Sequence, residues 1–348
     1  MRILVTGSSG LIGSEAVRLF DARGHDVIGV DNNMRAVFFG PDGDTIANRV
    51  RLQEATSRFR HIDADIRDRE ALEPVFGDGL DAVIHCAAQP SHDRAASFPV
   101  LDFEVNALGT LNVLELTRLH CPDAAVVHLS TNKVYGDAPN ELDVVELETR
   151  WDYASPELHE GIDESLRIDQ SLHSLFGASK LASDVLAQEY GRYFGLRVGI
   201  FRGGCLTGPN HAGVALHGFL SYLVKTAVAD HDYTVLGYKG KQVRDQIHSA
   251  DVVAAFEQFI ANPRPGEVYN LGGERRNSAS VLECIALVEE RLGRPLRWSY
   301  HDEARRGDHI CYISDMGKFR GHYPQWQPSY SLADIVDELV AHETRGPS

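Results

Sequence analysis

The sequence predicts an α/β protein: a doubly wound parallel sheet with a smaller mixed C-terminal lobe. Three observations carry this. Short apolar runs of strand length alternate with amphipathic helical stretches through about residue 200, the pattern of strand–helix–strand crossovers. A glycine-spaced turn, Thr6 to Ser14 (TGSSGLIGS), joins the first apolar run to the first helical one. Beyond residue 203 the alternation weakens, which sets off the second lobe.

The elements follow in order. Ile3-Leu4-Val5 reads as a short buried strand, and Glu15 to Phe20 as an amphipathic helix. Between them, Gly7 permits the turn, Gly10 lets a backbone approach a pyrophosphate, and Gly13 allows close helix–strand packing. The helix N-terminus then faces the phosphates. A second strand, Asp26 to Val30, ends at Asp31, where an acidic residue gripping an adenosine ribose belongs. Together these make the Rossmann-type dinucleotide-binding arrangement. Asp31 favours NAD, because a carboxylate repels a 2′-phosphate; nearby Arg35 is the argument for NADP.

Residues 32–58 read as a connection with a turn at Gly40-Pro41-Asp42-Gly43. FRHIDADIRD (59–68) reads as a third strand closing on Asp65-Ile66, before a helix near Arg69 to Phe76. Asp81 to His85 is the fourth strand, running into Cys86-Ala87-Ala88, small residues that let a flat ligand lie close. His85 reads as a buried, hydrogen-bonded histidine. Val105 to His120 is a helix, Ala124 to Ser130 the fifth strand, His173 to Phe194 a long helix and Leu196 to Phe201 the sixth strand. Ligands of such sheets sit beyond the strands' carboxyl ends. That singles out the glycine turn, Ala87 to Arg94 and Ser130 to Tyr135.

The stretch 140–170 is acidic and irregular, with six glutamates between 141 and 164, and reads as solvated surface. Gly208 to His211 is a loop, followed by a helix from about Leu216 to Val228. Lys239, Lys241 and Arg244 form a small cationic cluster. Val268 to Gly273 reads as strand and turn, and Ser278 as the N-cap of a helix to Leu292. The division into domains is 1–202 with about 246–272 for the dinucleotide, and about 203–245 with 273–348 for the substrate.

A formal charge of −16 argues against nucleic acid or an anionic membrane as the main partner. Five scattered cysteines without a CxxC read as reduced thiols in a cytoplasmic protein. The start, MRILVTG, is too short in apolar residues for a signal peptide, and no apolar run reaches membrane-spanning length. The histidines show no metal-ligand spacing, so no metal is assigned.

TGxxGxxG, Asp31, Asp65-Ile66, Ala87-Ala88, STNKVYGD (130–137) and a helical Lys180 together resemble the extended short-chain dehydrogenases/reductases, the NAD-dependent epimerases and dehydratases of nucleotide sugars. STNKVYGD, GKQVRD and HSLFGASK most resemble the CDP-paratose/CDP-tyvelose 2-epimerase branch. The resemblance implies that Gly7, Gly10, Leu11, Ile12 and Gly13 line the pyrophosphate. Asp31 and Asn32 would hold the adenosine ribose, and Asp65 and Ile66 the adenine. Ala87, Ala88 and Asn106 complete the cofactor set. Thr131 would bond the reacting hydroxyl, and Lys180 the nicotinamide ribose. For the substrate, a nucleotide-diphosphate sugar, the set is Gln89, His92, Asn132, Lys133, Cys205, Asn210, Arg244 and Arg305 or Arg306, with the arginines clamping the diphosphate. Surface solubility is the plain alternative for Arg305-Arg306. The resemblance also implies a homodimer through Val105–His120 and His173–Phe194.

Two departures from that pattern bear on mechanism. Nucleotide-sugar dehydratases carry Asp-Glu after the Thr, as acid and base; Asn132 and Lys133 stand here instead. The YxxxK base is also missing, since Phe176 sits four before Lys180. Removing a hydroxyl proton as hydride leaves needs a positioned base, worth about 10²–10⁴-fold. His173, one turn before Phe176 at a helix start, is the first substitute; its alternative is a surface residue. Lys180 is the second, and Cys205, His92 and Tyr135 follow. The function read from this is NAD-dependent epimerisation through a transient keto-sugar, with C2 of a CDP-hexose as the target. The alternatives are 4-epimerisation, an unusual dehydration, or a silent NAD-binding sensor.

Overall fold

A computed structural model describes residues 1–211, 213–214, 218–304 and 307–345. Its central sheet has strands β1 (Arg2–Thr6), β2 (Asp26–Val30), β3 (Phe59–Ile62), β4 (Ala82–His85), β5 (Ala125–Thr131), β6 (Arg197–Gly203) and β7 (Glu267–Leu271). Their spatial order is β7-β6-β5-β4-β1-β2-β3, every neighbouring pair parallel. The order reverses between β1 and β4, which opens a crevice at the strands' carboxyl ends.

Residues alternate between two cores, as a period of two requires. Ile3 and Val5 face one with Phe20, Phe201 and Phe256; Leu4 faces the other with Phe76 and Val113. Helices α1 (Leu11–Ala22), α2 (Gly109–His120), α3 (Leu175–Phe194) and α4 (Ser249–Ala261) cover the sheet. α1 and α4 supply the first core, α2 and α3 the second. Each fully buried phenylalanine contributes about 2–3 kcal/mol over leaving it exposed.

The remaining strands are short. Val243–His248 pairs with Cys205–Thr207, Ser278–Ser280 and Cys311–Tyr312, and Tyr233–Leu236 pairs with Trp298–His301. The helices Phe219–Val228, α5 (Val281–Leu292) and Leu332–Arg345 share a third core around Leu223, Ile285 and Val336. The start of the predicted helix at Leu216 lies outside the described residues.

Several details differ from the sequence expectations. β3 ends at Ile62, not at Asp65-Ile66. Residues 32–58 are not a plain connection: Met34–Phe39 and Ile46–Ala55 are helical. The helix from Val105 begins as a π turn, Glu104–Leu108, before α2. α3 begins at Leu175, capped by Ser174, whose hydroxyl accepts from the Gly177 N–H. The N-cap of α5 is Ser280, in a capping box with Glu283, because Ser278 is spent in a strand. The acidic stretch holds a small hairpin, Val144–Glu146 with Trp151–Tyr153. The chain also returns to the large sheet later than the division at 272 suggests. Met316, Phe319, Tyr323 and Trp326 pack against Phe201, Phe256 and Tyr269 and extend the first core at the β6–β7 end of the sheet.

Candidate active site

A cavity of about 450 Å³ lies at the carboxyl ends of the strands, between the large sheet and the second lobe. Gly7, Gly10, Leu11, Ile12 and Gly13 form one wall. Gly7 has φ +69°, and a Cβ on it would lie 2.8 Å from the Ala87 nitrogen. Only glycine tolerates that combination. Gly10 differs: among the described residues the nearest atom a Cβ there would meet is the Gly7 carbonyl oxygen, at 3.4 Å. The protein's own packing does not demand a glycine at 10, whereas a pyrophosphate laid on that backbone does.

Asp31 follows β2 directly and lines the same cavity, accepting from the N–H groups of Ser9 at 3.0 Å and Asn33 at 2.8 Å. Asn32 donates to Asp65 at 3.0 Å, and Arg67 grips the same carboxylate. Ile66, Ala87 and Ala88 also line the wall. Arg35 lines it too, its guanidinium 4.7 Å from the Phe39 ring centroid and pushed down to about 10 by burial.

At the other end stand Thr131, Asn132, Lys133, Phe176, Lys180, His92, Cys205 and Arg244; Asn210 lines the cavity beside α1, where Arg18 donates to it at 3.5 Å. Thr131 closes β5, where its Oγ accepts from the Lys133 N–H at 3.2 Å. Phe176 and Lys180 lie four apart on α3, hence on one face, and both are buried. Lys180 Nζ donates to the Leu129 carbonyl at 2.8 Å, and burial pushes its ammonium down to about 8. Lys133 Nζ donates to the Gly307 carbonyl at 2.8 Å; burial, then the charge of Arg244, takes it to about 8 as well. The thiol of Cys205 is raised to about 11 by burial, too high to serve as a base at neutral pH.

Other expected site residues lie elsewhere. Gln89 is fully buried outside the cavity lining, donating to Ser91 O and Asp102 and accepting from the Ser91 N–H. Asn106 accepts from the Gln89 N–H and donates to Asp102 and Ser179. Both amides stitch the loop after β4 to the helix behind it, and neither lines the cavity. The rings of His173 and Tyr135 are also away from the cavity. His173 Nε2 faces the Val134 carbonyl at 2.7 Å and Nδ1 the Ser171 carbonyl at 3.0 Å, so both ring nitrogens are directed at backbone oxygens and neither at the cavity. Tyr135 is fully buried, donates to Asn270, and is raised to about 12 by burial.

Lys239 and Lys241 both pair with Glu146, and only Arg244 of that cluster lines the cavity. The Arg244 guanidinium is engaged by Asp308 and by the carbonyls of His309 and Val243. Arg305 and Arg306 lie outside the described residues. Gly307 and Asp308, which line the cavity, were not named as site residues; their signal in the sequence was the RRGD stretch, 305–308, which shares in the family resemblance. His85 is a satisfied core histidine, between Thr6 and Thr110 at 2.7 and 2.9 Å. Among the described residues no cluster of His, Cys, Asp and Glu could hold a metal ion, and no helix is long and apolar enough to cross a membrane.

Residues 3–272 match the NAD dependent epimerase/dehydratase family. The chain belongs to that family. It is 30% identical to CDP-paratose 2-epimerase of Salmonella typhi, covering 97% of this chain and 98% of that protein. It is 29% identical to dTDP-glucose 4,6-dehydratase 1 of Escherichia coli K12, over 98% and 92% of the two chains. The structure of a tyrosine-to-phenylalanine mutant of Bacillus cereus UDP-glucuronic acid 4-epimerase, in complex with a fluorinated UDP-sugar and NAD, matches with TM-score 0.80 and 25% identity over 99% of both chains. The family's cofactor is NAD. The site fits it: the open space over Gly10 and the carboxylate of Asp31 are what a pyrophosphate and an adenosine ribose require.

Proposed function

We propose that this family member is a nucleotide-sugar epimerase that inverts C2 of a CDP-hexose through a transient keto-sugar. One observation carries the choice of epimerisation. Beside Thr131, where elimination of water needs an acid and a base of carboxylate type, stand Asn132 and a lysine tied to a carbonyl. NAD, when bound, supplies a hydride acceptor and returns the hydride to the sugar.

This chain's residues then have the following tasks. Thr131 Oγ, already accepting from the Lys133 N–H, hydrogen-bonds the sugar oxygen and fixes it over the sheet edge. Lys180 holds the nicotinamide ribose from α3, and its charge stabilises oxyanion character at the reacting oxygen. Asn132 and Lys133 shape the sugar pocket, and Cys205 closes it from the second lobe. Arg244, held by Asp308, presents positive charge to the diphosphate. The choice of CDP and C2 is supported by the Salmonella relative and by the STNKVYGD and GKQVRD stretches.

The working form is a homodimer. α2 and α3 pack side by side, with Tyr190 donating to Glu115 and Arg118 over Phe194. Their outer sides leave Leu119, Val185, Tyr193 and Phe194 exposed, apolar surface that a partner helix pair would cover.

The test is proton NMR of the purified NAD-bound chain with CDP-paratose in heavy water. The expected product is the C2 epimer with no deuterium on carbon, because the hydride returns directly. Loss of water from the sugar, or inversion at C4, overturns the reading. A second reading, a silent NAD-binding sensor, is favoured by Phe176 where a phenol is the usual base; NAD bound with no conversion of any CDP-, UDP-, GDP-, ADP- or dTDP-sugar supports it.

A further inference from the structure

Oxidation of a sugar hydroxyl leaves a proton to be placed, and Phe176 has no atom to take it. The imidazole of His92 stands edge-on to that phenyl ring, centroids 5.1 Å apart and planes at 69°, and both rings line the cavity. Its position is fixed from two sides. Nδ1 lies 2.6 Å from Ser174 Oγ, the hydroxyl that also caps α3, the helix bearing Phe176 and Lys180. The backbone leading to His92 is held by the buried side chain of Gln89, which donates to Ser91 O and accepts from the Ser91 N–H. A base whose other nitrogen is oriented by a third group is the usual arrangement for proton transfer.

We propose that His92 is the catalytic acid–base residue that replaces the absent phenol. This rests on the epimerase reading above. As the carbinol C–H passes as hydride to the nicotinamide, the O–H proton moves to His92 Nε2 and a C=O bond forms. On return, hydride adds to the opposite face of that carbonyl and His92 gives the proton back. Charge and atoms balance, and cofactor and imidazole end as they began. The other cavity candidates serve less well. Lys180 is assigned to the nicotinamide ribose and Lys133 to the sugar pocket, and the Cys205 thiol is raised by burial.

The test compares wild type, His92→Ala, His92→Gln, Phe176→Tyr and the double variant His92→Ala/Phe176→Tyr, all NAD-bound. Calorimetry with CDP accompanies turnover of the CDP-sugar. The expected result is a loss of about 100-fold or more in kcat for both His92 variants, with CDP affinity unchanged. Added imidazole should restore part of the His92→Ala activity, and the phenol of the double variant should restore it too. His92→Gln turning over within about threefold of wild type overturns the proposal. So does a loss in His92→Gln that appears only as weakened CDP binding. Failure of the epimerase reading looks different: wild type binds NAD yet converts no nucleotide sugar, and then His92 has no proton to take and both fall. If Phe176→Tyr alone confers turnover on a silent wild type, the family chemistry stands and the role of His92 does not.

Discussion

A Cβ built on Gly13 would stand 2.0 Å from the carbonyl oxygen of Gly7. No side-chain motion relieves a clash with backbone, so Gly13→Ala should cost about 3 kcal/mol or more. Gly10→Ala has room, its nearest neighbour at 3.4 Å. It should leave stability without ligand within about 0.5 kcal/mol but abolish most of the NAD-induced rise in Tm. Thermal melts with and without NAD separate the two. Equal loss of intrinsic stability in both variants would refute the assignment of Gly10 to the ligand.

Lys180 is only 4% exposed and its folded pKa is lowered to about 8 from 10.5. Below pH 8 both folded and unfolded chains carry the proton, and the folded chain bears the full burden of a desolvated charge. Between pH 8 and 10.5 the unfolded chain holds the proton while the folded chain sheds it. This group's contribution to stability therefore rises with pH across that window, by at most about 1.4 kcal/mol per pH unit. Urea denaturation from pH 7 to 10 should show wild type gaining on Lys180→Met. A gap that does not move with pH contradicts the buried ammonium.

Asp184 and Arg202 form a salt bridge at 2.9 Å with side chains 0% and 4% exposed. Ser130 also donates to that carboxylate, at 2.6 Å, one residue before Thr131. Asp184→Ala strands a buried guanidinium and should cost about 3–5 kcal/mol by equilibrium denaturation. Asp184→Asn, which keeps an acceptor for Ser130, should cost less. Should both variants prove as stable as wild type, the pair has no structural weight.

Lys239 and Lys241 both spend their charge on Glu146, at 2.8 and 2.9 Å. Replacing both by alanine should change stability by about 1 kcal/mol or less and leave CDP affinity untouched. Arg244→Met, which removes the only member of that cluster lining the cavity, should weaken CDP binding at least tenfold, a difference of about 1.4 kcal/mol. Calorimetry decides it; a large loss in the double lysine variant would put the diphosphate elsewhere.

Much of the site was legible because its residues are specified over short distances in the chain. The glycine spacing imposes the turn, and Asp31 follows β2 directly. Lys180 and Phe176 share a helix face by periodicity alone. What was not legible concerned polar side chains whose partners are remote. Gln89 and Asn106 carry amides that suit a ligand equally well, yet they bond Asp102 and each other's segment. His173 has the right place on the helix start, but the Val134 carbonyl, 39 residues away, occupies its Nε2. Ser278 satisfied the rule for an N-cap, and strand pairing with Asp245 claimed it first.

By itself the sequence determined the doubly wound sheet, the dinucleotide turn and the residues that follow each strand, since backbone sterics and hydrophobic period act between near neighbours. Only the tertiary structure decided which titratable group meets Phe176. His92 and Ser174 are 82 residues apart, and no local pattern records a contact that forms only when two separate crossovers pack on the same edge of the sheet.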